Sequence, residues 1–317
     1  MKYIIGLHAL IFLIVILMGC NSTPNRSILR QVESYMEEHP DSALFLLNSI
    51  AHPEKLSGRE QAEYALFYTQ SCEKNFILQL NDSLIKIAVD YFESQAGGLK
   101  TAQSYFYMGC IYQNRNEHAN AVRAFIKALE NAPSNIRSRI LMQIHFYLAE
   151  SYNNEGLYNE AKKHYFLSYE NAIYRKDTLD MYYPLRGIGT AYSFKLQYDS
   201  ALVYYNKALE ISCRANNNEM KAYVLSSIAG CYEAKNDFEK ANEYATKVIN
   251  LGVSDCTNMY EVKGNSLMHL NRLDSAYYYL KLSVTSTDLN TKAIAYYHLY
   301  NFCLLYTSPS PRDSTSS

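Results

Sequence analysis

Eight histidines are the first candidates for chemistry in this 317-residue chain, because imidazole is a frequent metal ligand and titrates nearest neutrality. They are scattered. His8 lies in an apolar leader, and His39, His52, His118 and His269 fall in loops or near helix ends. His145 and His164 belong to the two helices of one predicted hairpin, where their rings can meet, and they are read as amphipathic packing residues. No H-E-x-x-H, Gly-x-Ser-x-Gly, G-x-G-x-x-G or phosphate-cradling glycine loop occurs. Carboxylate neighbours such as Glu37–Glu38 and Glu60/Glu63 have the spacing of solvated helix faces. Beyond Cys20 and Cys303 there remain Cys72, Cys110, Cys213, Cys231 and Cys256, with no C-x-x-C and no histidine at ligand spacing. They read as small buried residues. Catalytic residues, a metal site and a cofactor are therefore not expected, and neither is an enzyme.

What remains is a scaffold. The 30 basic and 31 acidic side chains leave a formal charge of −1, which gives no electrostatic reason to bind nucleic acid. Hydrophobic residues at 48% suffice for a core, while 12 glycines and 7 prolines are too few for a fold made of tight turns. The composition predicts an all-α protein, unusual only in its 31 tyrosines and lack of tryptophan.

The two ends are read apart from the fold. Lys2 precedes an apolar run from Ile4 to Met18, short for a permanent membrane span and right for a signal peptide over residues 1–19. The run closes on Leu17-Met18-Gly19-Cys20, which resembles the bacterial lipobox, and a polar tether follows over 20–26. The resemblance implies that Cys20 is lipidated and becomes the mature N-terminus, anchoring a folded domain to a membrane of the bacterial cell envelope. Asn21-Ser22-Thr23 lacks an acidic run resembling a surface-export signal, which favours the periplasmic side. At the other end, residues 303–317 hold two of the seven prolines and five serines among the last ten residues. They resemble a translated sequencing-adapter read-through, or else form a disordered tail. On the first reading the natural chain continues beyond Phe302.

A period of 40 residues organises the middle. Small residues recur at Gly109, Ala149, Gly189 and Ala229, and tyrosines three positions later at Tyr112, Tyr152, Tyr192 and Tyr232. Downstream of the first pair stand Ala121, Phe125, Ala128 and Pro133. The small residue lets one helix approach the next, the alanines do the same from the other side, and the large residues fill the gap between hairpins. This pattern resembles the tetratricopeptide repeat, which implies a right-handed α–α superhelical solenoid. The 40-residue period exceeds the minimal 34-residue repeat, so each second helix or the turn after it should be longer. Four clear copies are followed by a weak one (Gly264, Leu267, Leu273, Ala276, Leu280) and by the first half of a sixth, giving a solenoid over 100–302. Residues 27–95 are expected to form irregular hairpins of the same kind. Asp-Ser-Ala recurs at Asp41, Asp199 and Asp274, where an aspartate or serine could cap the second helix. The stretch Ala62 to Gln70, with Lys74-Asn75 and Asn81 to Ile85, resembles the first hairpins of Bacteroides-type tetratricopeptide lipoproteins. Members of that set often continue into a transmembrane helix, a coiled coil and a DNA-binding end.

In that family the first helix of each repeat, helix A, lines the concave face. The register then assigns a peptide groove. The first repeat supplies Gln103, Phe106, Gln113 and Asn114; the second supplies Gln143, Phe146, Glu150, Asn153 and Asn154. The third supplies Tyr183, Arg186, Ser193 and Phe194; the fourth supplies Tyr223, Ser226 and Glu233. Amides and rings side by side suit an extended peptide. Arg186 is the sole cation among them, and the Lys/Asn clamp that chaperone-binding repeats use for a C-terminal carboxylate is missing, so an acidic tail is not the expected ligand. The chain is thus expected to be a lipid-anchored scaffold for a protein or peptide, or the sensor arm of a longer regulator. The alternative is a carbohydrate-binding outer-membrane lipoprotein, although the lack of tryptophan and of long loop insertions argues against a sugar platform.

Overall fold

A computed structural model describes residues 24–95, 97–133, 139–253 and 256–307, without side chains at 24 and 305–307. The expected signal peptide, Cys20 and the stretch from 308 lie outside the described residues. Those described form fifteen α-helices and a short 3₁₀ turn, with no strand among them.

Packing divides the chain into two compact units between Asn135 and Ile136. The first holds α1 (Pro24–Tyr35), α2 (Pro40–Asn48), α3 (Gly58–Lys74), α4 (Ser83–Ser94), α5 (Leu99–Asn114) and α6 (His118–Asn131). The second holds α7 (Arg139–Asn154), α8 (Tyr158–Arg175), α9 (Tyr182–Phe194), α10 (Tyr198–Arg214) and α11 (Asn218–Ala234). It continues with α12 (Phe238–Asn250), α13 (Thr257–His269), α14 (Leu273–Ser283) and α15 (Leu289–Thr307). The unit boundary falls after α6, so the hairpin of α5 and α6 lies in the same unit as α1 to α4. At the far end α15 continues five residues past Phe302, so helix extends into the stretch read as tail.

Within each unit every helix packs on the next, making a stack of antiparallel hairpins. In the second unit the A helices α7, α9, α11, α13 and α15 also touch one another in succession. Among the described residues their partners α8, α10, α12 and α14 make no such contact. The stack therefore curves with its A helices inside, as in the expected helical-repeat solenoid.

Small residues set the distance between the helices of a hairpin. A Cβ built on Gly109 would lie 2.7 Å from Cδ1 of Phe125, one on Gly189 2.7 Å from the Tyr205 ring, and one on Gly264 2.7 Å from Leu280. Each contact spans 16 residues, and Ala149 and Tyr165 keep the same pairing, both fully buried. Gly187, absent from the expected pattern, lies still closer to the Tyr165 ring. Buried tyrosines find partners for their hydroxyls. Tyr165 donates to the Glu150 carboxylate, Tyr182 donates to the Met220 carbonyl over 2.9 Å, and the Tyr205 and Thr190 hydroxyls lie 3.1 Å apart.

The turns inside the hairpins also follow the period. A single left-handed residue reverses the chain at Asn116, Gly156, Leu196, Asn236 and Asn271. Glycine and asparagine tolerate this conformation, and the bulky Leu196 strains it. The second helices take up much of the longer period: α8 has 18 residues and α10 has 17, whereas α12, where the small-residue spacing shortens to 35, has 13. Capping by Asp-Ser-Ala is corrected. Asp41, Asp199 and Asp274 lie in the first turns of α2, α10 and α14, where they favour the helix dipole, and no side chain caps those helices. Asp199 instead pairs with Lys235. Among the described residues Cys72, Cys110, Cys213, Cys231 and Cys256 form no disulfide; Cys72, Cys110 and Cys231 are buried, but Cys213 is exposed.

Candidate functional site

The inner, A-helix face of each unit is where the expected groove residues should appear. In the first unit most are occupied by the fold itself. Phe106 is a core residue, 2% exposed and 5.8 Å from the Phe125 ring, so it does not line a groove. The ring packs inward beside Phe125, which itself fills the space left at Gly109. Asn114 donates to the Gln79 carbonyl over 3.3 Å and fixes the loop before α4. Gln103 and Gln113 are half-buried. The sequence reading missed an ion network on the same unit. Glu63 on α3 accepts from Arg59 and from Lys100 on α5, each over 2.8 Å, and Lys100 also pairs with Glu33 over 3.4 Å. These pairs satisfy one another and leave no cation over.

The second unit brings more of the expected residues together. Phe146 on α7 meets Tyr183 on α9 with ring centres 6.0 Å apart, and the Arg186 guanidinium lies 5.8 Å from the Tyr223 ring on α11. Tyr183 is 47% exposed and Tyr223 62%, so both rings are open to a ligand. Glu150 is engaged by Tyr165. Gln143 and Asn153 are half-buried, the latter with an unpartnered carbonyl oxygen, and Asn154 is exposed at the end of α7. Phe194 stands apart. It stacks on Tyr158 at 5.2 Å, at the turn edge, and lies eleven positions after Tyr183 on the same helix, about 16 Å along the axis.

Tyr223 and Ser226 open onto a cavity of about 350 Å³. Its other polar walls are Glu219, Thr257, Asn258, Asp288 and Thr291, from the first turns of α11 and α13 and from the start of α15. The register did not reach Asn258 or Thr291, because the small-residue spacing contracts from 40 to 35 between Ala229 and Gly264. Applying that contraction to Tyr223 gives Asn258. Further along the face, Glu233 accepts from the Asn265 amide over 2.6 Å. Burial, then the charge of Glu261, pushes the Glu233 carboxyl up to about 7.

His145 and His164 do meet, with their Nδ1 atoms 3.0 Å apart. His164 stacks on Tyr152 at 5.6 Å, as Tyr204 stacks on Tyr192 and Tyr244 on Tyr232. The pair belongs to the packing between α7 and α8. Among the described residues no three His, Cys, Asp or Glu side chains are placed to hold a metal ion. No described helix is long and apolar enough to cross a membrane.

Residues 102–135 match the family model of the tetratricopeptide repeat. Among curated proteins no sequence matches. Solved structures share the fold at low identity. The apo form of RapI superposes with a TM-score of 0.70 at 14% identity, over 90% of this chain and 82% of that one. A STAND protein with a tetratricopeptide-repeat sensor from Pyrococcus horikoshii gives 0.69 at 16%, over 90% of this chain and 45% of its own. NprR in complex with its cognate peptide NprX gives 0.65 at 12%, over 92% and 87%. The chain is an all-α helical-repeat protein with a tetratricopeptide repeat at 102–135.

Proposed function

We propose that this chain is a non-enzymatic scaffold whose A-helix face in the second unit binds an extended peptide or protein segment. The observation that carries it is the row of open rings and polar groups across α7, α9 and α11: Phe146 against Tyr183, Arg186 over Tyr223, and Tyr223 at the mouth of the 350 Å³ cavity. Exposed aromatics beside side-chain amides and hydroxyls offer stacking surface and backbone hydrogen bonds to an extended chain. NprR, which shares the fold, holds a peptide, and this supports the reading by analogy.

Affinity selection from a random peptide library should therefore retain ligands on the purified chain. Tyr223→Ala should weaken them by at least about tenfold, the loss expected for an interface aromatic. Undiminished binding in that variant would refute the placement. Tyr223 is exposed, so the change should leave the thermal transition in place.

The anchor belongs to the same proposal: Cys20 is lipidated and holds the scaffold on a membrane of the cell envelope, facing the periplasm, where it serves as a scaffold or as the sensor arm of a longer regulator. The STAND protein pairs its repeats with further domains in that sense. Cys20→Ser should move the protein from the membrane to the soluble fraction. Retention of the variant on membranes would assign the attachment to the apolar leader itself.

A further inference from the structure

One cluster on the inner face of the second unit is left unbalanced by its own side chains. It gathers Glu233 from α11, Glu261 and Asn265 from α13, and His298 from α15. Glu261 and Asn265 are each 7% exposed, while Glu233 keeps part of its surface open. The Asn265 amide donates to Glu233 over 2.6 Å, and His298 Nε2 lies 3.0 Å from Glu261 Oε1. Those contacts use one of the two N–H groups of Asn265 and the Nε2 atom of His298. The Asn265 carbonyl oxygen and His298 Nδ1 are buried with no partner. Among the described residues no lysine or arginine pairs with either glutamate.

The count of donors and acceptors defines what is missing. Two carboxylates and a free amide oxygen offer acceptors in excess, and a group with several N–H donors and a positive charge would satisfy them together. A metal ion is a poor candidate, since no three His, Cys, Asp or Glu side chains converge at ligand distance among the described residues. There is also room. Gly230 stands on the same face of α11 between Ser226 and Glu233, and a Cβ built there meets no atom within 4 Å. The cavity further along the face adds Glu219 and Asp288, so its charge has the same sign.

We propose that Glu233, Glu261 and Asn265 form a socket for a basic side chain, lysine or arginine, of the peptide bound along the A-helix face. The inference rests on the peptide-groove reading and specifies its ligand. A desolvated carboxylate pair whose neighbouring base, His298, touches Glu261 and not Glu233 is unfavourable in the free protein, and burial together with Glu261 holds the Glu233 carboxyl in part protonated near neutrality. The incoming cation would favour its ionised form. The titratable groups that face Glu233 are Glu261 and His298.

The test is a positional-scanning library of N-acetylated, C-amidated hexapeptides, selected on the full chain and read by mass spectrometry. Blocked termini leave side chains as the sole source of positive charge, and a parallel library with free amino termini reports whether an ammonium from the backbone serves as well. Retained peptides should be enriched in lysine or arginine at one position, by at least about tenfold over glutamine. The enrichment should grow from pH 6 to pH 8 as Glu233 ionises. Glu233→Gln, which keeps the Asn265 contact, should abolish the enrichment, and so should Glu261→Gln. Peptides that are retained and lost on Tyr223→Ala, but show no basic preference, would overturn the socket and leave the groove standing. A basic preference that survives both glutamine variants would place the recognition elsewhere and also overturn it. If no hexapeptide is retained by the wild-type chain, the socket and the groove reading fall together.

Discussion

Gly189→Leu is expected to destabilise the second unit by about 3 kcal/mol, the upper part of the range for overpacking a filled core. Gly189 is buried on α9, and even a methyl group there would stand 2.7 Å from the ring of Tyr205 on α10. That ring has little room to move. Tyr205 is 3% exposed, and its hydroxyl is held by Thr190. Leucine adds three further carbons, so the hairpin must open and the contacts of both neighbours weaken with it. A stack in which each hairpin leans on the next transmits such a loss along the array. Gly189→Ala should cost far less, because Ala149 occupies the equivalent place against Tyr165 with the ring fully buried. Gly230→Ala, one repeat further along at an open position, should be neutral or stabilise by up to about 1 kcal/mol through helix propensity. Urea unfolding of the three variants checks the ranking. Equal midpoints for Gly189→Leu and wild type would show that position 189 is not a helix–helix contact.

The legible parts of the fold were those in which one physical requirement repeats. Gly109, Ala149 and Gly189 mark helix contacts at a fixed spacing, and the residues 16 positions later are the rings they face. The same regularity exposes positive-φ turns at Asn116, Gly156 and Asn236. What the period could not supply was whatever depends on a side chain's environment away from the repeat. Phe106 has the register of a groove residue, yet its packing against the Phe125 ring holds it in the core. Phe194 has the right helix but the wrong end of it. Glu233 was identified by register alone; its partners Glu261, Asn265 and His298 lie on helices displaced by the contraction from 40 to 35 residues, and a constant period points past them. The division between Asn135 and Ile136 has no mark in the repeat either, since the same 40-residue frame runs on across it.

The second large effect is a pH dependence built into the packing of α7 on α8. Two imidazoles with Nδ1 atoms 3.0 Å apart can share one proton, one ring donating and the other accepting. Charging both sets like charges against each other in a half-buried site. Burial, then the neighbouring ring, lowers His145 to about 4, and burial lowers His164 in the same direction. Lys163 lowers the latter further, while Glu160 opposes it. A base whose folded pKa is depressed binds its proton more readily when unfolded. The stability is therefore complete above the unfolded value near 6.5 and is lost as pH falls from there towards 4. For His145 alone the loss over that window is on the order of 3 kcal/mol. The repeat supplies its own control. The places of His145 and His164 are taken one period later by Leu185 and Tyr204, and two periods later by Leu225 and Tyr244. The double variant His145→Leu/His164→Tyr should reproduce at Tyr152 the tyrosine stack seen between Tyr192 and Tyr204 and remove the two titrating groups. Carboxylates elsewhere titrate in both proteins, so the difference between the two urea midpoints isolates the histidines. That difference should widen from pH 7 to pH 4.5, with the variant the more stable. A constant difference across the range would mean that the rings accept protons in the folded chain as easily as in the unfolded one.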